Sequence, residues 1–157
     1  MDDLTIARAL HVVAVVHWIG GVSMVTLVIL PGLIRSVPPE EMLRLFEAIE
    51  GRFGRQARIS TLIAGLTGFY MPHRLGTWYR FADPSFWWMH AMSGIWVIFT
   101  AVLFIAEPLY LHRWFQERAK SDPDGSFLLV VRLHVTWLTL SLVTVAATVL
   151  GAHGALN

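Results

Sequence analysis

Three stretches of this chain contain no Asp, Glu, Lys or Arg: Ala9 to Ile34, Pro84 to Ala106 and Leu133 to Asn157. Each is longer than the roughly 20 residues a helix needs, at about 1.5 Å rise per residue, to cross a hydrocarbon core of about 30 Å. Exposed backbone finds no water inside a bilayer, so such segments cross as helices with their hydrogen bonds closed internally. A fourth stretch, Ile59 to Pro72, is shorter and completes a crossing if Arg58 snorkels towards the interface. The expected fold is therefore all-α: an integral membrane four-helix bundle, up-down-up-down. It forms a single membrane domain over residues 1–157, with spans near 7–34, 56–73, 85–110 and 128–153.

Only 15% of the residues are charged, against about a quarter in soluble domains. The first run reads as a retained span, because it is too long for a signal peptide, follows Asp2 and Asp3, and lacks a small-residue cleavage site. With no cysteine, disulfides and thiolate metal sites are excluded. A net charge of +1 says little about partners; no nucleic-acid partner is expected, and the lipid bilayer is the expected surrounding.

Pro38-Pro39-Glu40-Glu41 reads as a helix start, and Met42, Leu45, Phe46, Ile49 and Phe53 then recur at helical spacing. That pattern predicts an amphipathic cytoplasmic helix before span 2, with a bend at Gly51 and Gly54. Pro108 predicts a kink in the third helix, and Asp122-Pro-Asp-Gly125 a turn into the fourth. Arg8, Arg74 and Arg80 fall at one end of such a bundle, and the other nine basic residues of the twelve fall at the opposite end. The bias places both termini outside, in the periplasm if the membrane is a bacterial inner membrane.

The seven histidines are the residues that suggest chemistry. His11, His73, His90 and His153 all fall towards the outer face, His17 lies about 9 Å deeper than His11, and His112 and His134 lie near the cytoplasmic face. In an up-down-up-down bundle the first and third helices are diagonal neighbours. His11 and His90 then face each other as two axial ligands for a haem b, with His17 and His134 as the next pair. The competing use of the same outer residues is a transition metal such as copper held by His11, His90, His73 and His153. The bland alternative for each imidazole, favoured for His73, His112 and His153, is an interfacial or hydrogen-bonded role. Met24, Met71, Met89 and Met92 are soft donors for copper(I), or ordinary packing. Arg58 and Arg132 snorkel, meet haem propionates, or pair with Glu107. Gly20-Gly21, Gly65, Gly68, Ala91 and Gly94 allow close approach of helices or of a macrocycle. The stripe Ser141, Thr144 and Thr148 is read as bonding within its own helix.

Arg8-Ala-Leu-His11 followed by His17-Trp18-Ile-Gly20-Gly21 resembles the opening of the CopD and HemJ group of membrane proteins. Arg52 to Gly68, ending Leu66-Thr67-Gly68, resembles the group's second helix, and Trp88-Met89-His90 the opening of its third. The resemblance covers about the first two-thirds of the chain. It implies a compact helical bundle in an energy-transducing membrane, with His11 as the group's first-helix histidine and a haem ligand. The group includes haem-b-binding proteins, protoporphyrinogen oxidases and copper-uptake proteins. Met92 stands where many members carry a lysine, and Pro31-Gly32 where the oxidases carry Pro-Arg, so that oxidase activity is the least favoured reading. The expectation is a b-type haem protein in electron transfer, working with a quinone or a redox partner subunit and compatible with homo-oligomers. The alternatives are a copper-handling protein and a non-catalytic subunit of a membrane complex.

Overall fold

A computed structural model of the protein describes residues 2–155, and among these the chain forms four long helices and no strand. Helix α1 runs Asp3–Ser36, α2 Pro39–Leu75, α3 Pro84–Ser121 and α4 Pro123–Ala152. A short 3₁₀ turn, Trp78–Phe81, lies between α2 and α3. Helices α1, α3 and α4 are long and apolar enough to cross a membrane, at 34, 38 and 30 residues. Helix α2 is not among these three: its charge-free run, Ile59 to Pro72, is short and bounded by Arg58 and Arg74, and its first half is the amphipathic segment. It runs unbroken through Gly51 and Gly54, so the bend expected there is not a break in the helix.

Local sequence explains the helix ends. Asp2 caps α1 by accepting from the Thr5 N–H at 2.7 Å. Gly76, at φ 63°, ends α2 in the left-handed conformation that suits glycine. Asp122-Pro-Asp-Gly125 is a helix start rather than a free turn: Asp122 accepts from the Gly125 N–H at 2.9 Å and Pro123 takes the first helical position.

Two π-helical stretches interrupt the regular winding, Val25–Ile29 in α1 and Val102–Leu111 in α3, and each lies at a proline, Pro31 and Pro108. Proline offers no N–H to the preceding turn, and a local π register is one way a helix absorbs that loss. In the π register the Leu103 carbonyl would be served by the N–H of residue 108, which proline lacks. Arg58 of α2 supplies the missing donor, its Nε–H bonding the Leu103 carbonyl at 3.1 Å while Nη2 bonds Glu107 at 2.9 Å. The kink expected at Pro108 is thus a π segment held by an arginine.

Aromatic rings seated on glycines join each consecutive pair of helices. A Cβ at Gly21 would run into Phe53, one at Gly65 into Trp96, and one at Gly151 into Trp88. These notches tie α1 to α2, α2 to α3 and α3 to α4. Small residues at helix joints are the usual means of close approach where no hydrophobic effect presses helices together. Gly20 and Gly94, by contrast, face nothing within 4 Å.

The paired contacts gather the helix ends into two groups. Asp3 accepts from Arg74 Nε and Tyr70 Oη, each at 2.6 Å, and Trp88 lies against Gly151. These contacts mark the end that carries the chain termini, here the terminal end. At the other, hairpin end, Leu33, Met42, Phe46 and Phe127 form one apolar cluster. A second cluster, with Trp18, Val22, Ala57, Phe99, Leu103 and Leu138, fills the middle. Much of the outer surface is apolar, including Val12, Val13, Val16, Leu27, Ile59, Leu66 and Val143, whereas Thr26, Ser60, Thr61, Ser126 and Ser141 are buried. Such an apolar exterior suits acyl chains and not water.

Candidate functional site

Two cavities lie on either side of the middle cluster. The terminal-end cavity has a volume of about 320 Å³ and an almost wholly apolar lining. All four helices contribute to it: His11 and Trp18 from α1, Gly65 and Phe69 from α2, Met89, Met92 and Trp96 from α3, Thr144 and Thr148 from α4. The Trp96 ring is held in its notch by donating Nε1–H to the Thr61 carbonyl at 2.8 Å.

His11 is the one imidazole on this cavity. Its Nδ1 lies 2.9 Å from the Ala64 carbonyl and 3.1 Å from Thr67 Oγ1. The Thr67 hydroxyl proton is already committed to the Ile63 carbonyl at 2.6 Å. Both neighbours therefore act as acceptors towards His11, which assigns the proton to Nδ1 and leaves the Nε2 lone pair free. A ring anchored through Nδ1–H to a carbonyl is the arrangement that orients metal-ligating histidines and raises their basicity. Gly68 makes room for the ring, since a Cβ there would come within 3.1 Å of His11 Cε1. Trp18 lines the same cavity, and its buried indole N–H has no acceptor among the described residues.

The other histidines are not brought to this point. His90 is exposed, its Nε2–H donating to the Phe81 carbonyl at 2.9 Å with its ring edge-on to Phe81, and it does not line the cavity. His11 and His90 thus do not share a site in this structure, because residue 90 lies on the outer side of α3 while Met89 and Met92 turn inward. His17 is exposed and bonds Ser60 Oγ at 2.8 Å, whereas His134 bonds the Val130 carbonyl at 2.9 Å and lines the other cavity, so these two are apart as well. His73 and His153 are exposed, and His153 is bonded to its own helix through the Val149 carbonyl. Among the described residues no three of His, Asp and Glu converge to hold a metal ion. Arg58 is engaged with Leu103 and Glu107, and Arg132 is exposed; neither lines the cavity on which His11 lies.

No family model, curated protein or solved structure matches the chain.

One imidazole with a free Nε2, two thioethers and a wall of aromatic rings fit a single planar group better than a cluster of ions. The donor set is that of histidine–methionine ligation, not of two imidazoles. Ser141, Thr144 and Thr148 also line the cavity, although Thr148 Oγ1 bonds the Thr144 carbonyl of its own helix at 2.8 Å, as the stripe pattern suggests.

The second cavity, about 350 Å³ at the hairpin end, holds groups that periodicity alone does not reveal. Glu47 and Glu50 of α2 line it with Glu107, His112 and His134. The signal is present in the sequence: Glu47 lies four residues after Leu43, and Glu50 four residues after Phe46 and four before Gly54, on the inward face of an otherwise amphipathic helix.

Proposed function

We propose that the protein is a multi-pass component of a bacterial inner membrane that holds haem b in its terminal-end cavity and takes part in electron transfer. The observation that carries this reading is the His11 ring, anchored at Nδ1 by the Ala64 carbonyl with Nε2 free on an apolar, aromatic-walled cavity. In this proposal His11 Nε2 and a thioether, from Met89 or Met92, would hold the haem. His90, bonded to Phe81, supports the Trp78–Phe81 turn instead. The haem would supply a one-electron couple, whose potential the surrounding burial and ligand identity set.

The chain's own residues have clear parts in such a site. Ala64 and Thr67 hold the His11 tautomer and ring plane, while Gly65, Trp96 and Trp18 shape the walls. The helices run up-down-up-down in this proposal, with both termini periplasmic, because nine of the twelve basic residues fall at the hairpin end. The terminal-end cavity then lies near the periplasmic face, where a quinone or a redox partner subunit can exchange electrons with it.

A second reading is favoured by one specific observation: His11, Met89 and Met92 line the same cavity, and an imidazole with two thioethers is a donor set for copper(I). Purification from membranes followed by metal analysis and oxidised and dithionite-reduced spectra separates the two. Iron with sharp reduced bands supports haem. Copper bound by a colourless protein supports the alternative. A protein that takes up neither group, even when each is added, overturns both.

A further inference from the structure

The hairpin-end cavity has a charge arrangement that the redox reading does not use. Glu47 and Glu50 of α2, Glu107 and His112 of α3, and His134 of α4 line it, and α1 contributes the apolar Val22. Arg58, also on α2, is the one guanidinium bonded to these groups among the described residues, through Glu107. At the rim, His112 Nδ1 lies 3.4 Å from Glu47 Oε1, and the Gln116 amide donates to Glu47 Oε2 at 3.4 Å and to His112 Nε2 at 3.0 Å. His112 is 55% exposed at its side chain, so this rim opens to solvent.

Glu50 differs from its neighbours. Glu107 has Arg58 and Glu47 has His112 and Gln116, but Glu50 has no hydrogen-bond or ion-pair partner among the described residues. It sits among Leu43, Phe46, Phe53 and Phe115, and the Glu107 carboxylate lies over the adjacent Gly54. An ionised carboxylate in that position is short of both solvent and counter-charge, and two other carboxylates face it. Either a cation or a proton would answer this imbalance. The acidic and imidazole groups do not converge on a point that could hold a metal ion, which favours the proton.

We propose that the hairpin-end cavity is a proton-binding site in which Glu50 carries the proton, exchanging it with solvent past the Glu47–His112 rim. The groups around Glu50 agree: burial first, then the charges of Glu107 and Glu47, push its carboxyl from the ordinary 4.5 up to about 7. The site needs no cofactor, so it stands or falls separately from the terminal-end cavity.

The test is pH-difference infrared spectroscopy of the full-length protein in detergent, for the wild type, Glu50→Gln and Glu107→Gln. The wild type should show the carbonyl band of a protonated carboxylic acid titrating around neutral pH. That band should be lost in Glu50→Gln and kept in Glu107→Gln, with its midpoint moved to lower pH because one facing charge is gone. A wild type without a carboxyl titrating above the ordinary acid range overturns the proposal, as does a neutral-pH band that survives Glu50→Gln. Should Glu50→Gln fail to fold, an unmoved midpoint in Glu107→Gln overturns it as well.

Discussion

Replacing Arg58 by Met keeps the length and apolar stem of the side chain while removing both of its hydrogen bonds. The Leu103 carbonyl, which Pro108 cannot serve in the π register, then loses its donor at 3.1 Å. An orphaned buried acceptor costs about 1–3 kcal/mol. Glu107 also loses its cation. Breaking a fully buried pair costs about 3–5 kcal/mol, but Arg58 and Glu107 are each 31% exposed, so the loss should lie nearer the roughly 1 kcal/mol of a screened pair. Together these give a destabilisation of about 2–4 kcal/mol. It is read by SDS titration of the protein in mixed micelles, and hydrogen exchange should rise locally across Val102–Leu111. In a double-mutant cycle with Glu107→Gln, the coupling should be about 1 kcal/mol. An Arg58→Met protein as stable as the wild type, with unchanged exchange in that segment, would refute the idea that Arg58 holds the π segment.

Gly65→Ala should cost about 1–3 kcal/mol and lower loading of the terminal-end cavity, because the new methyl drives Trp96 from its notch and from the Thr61 carbonyl. Gly54→Ala, whose Cβ would meet only Glu107 oxygens at 3.7 Å, should be neutral or stabilising by up to about 1 kcal/mol in the same denaturation assay. Stability should fall as pH rises from the ordinary carboxyl range through about 7, since folded Glu50 holds its proton there while unfolded Glu50 has released it. The loss is at most about 3 kcal/mol, and Glu50→Gln should flatten the profile when unfolding is followed against pH. Asp122→Ala removes the cap on α4 and should cost about 1 kcal/mol, with faster exchange at the Gly125 amide.

The all-helical fold was legible because charge-free runs leave a chain little choice once water is absent. Three of the four helices announce themselves in that way, and α2 does so through a shorter charge-free run, Ile59 to Pro72, behind an amphipathic pattern. Pro108 marked the irregularity in α3, whereas the π segment before Pro31 was not read from the sequence, and nothing in the local pattern says that Arg58 of α2 supplies the missing donor to the Leu103 carbonyl. At the site, His11 was readable as an inward residue and the facing of His90 was not. Depth along a helix follows from residue count, whereas facing depends on how α3 is rotated against its neighbours, and in the structure Met89 and Met92 turn inward. Glu50 was passed over because an acid on an amphipathic helix is normally on its wet face. Its four-residue steps from Phe46 and to Gly54 contradict that default.

The most direct test of the central claim is the reduced absorption spectrum of haem-loaded protein compared for the wild type, His11→Ala and His90→Ala. The account predicts that the sharp low-spin bands vanish in His11→Ala and persist in His90→Ala, since only the first imidazole lines the terminal-end cavity. Bands that survive His11→Ala, or that disappear in His90→Ala, would contradict it.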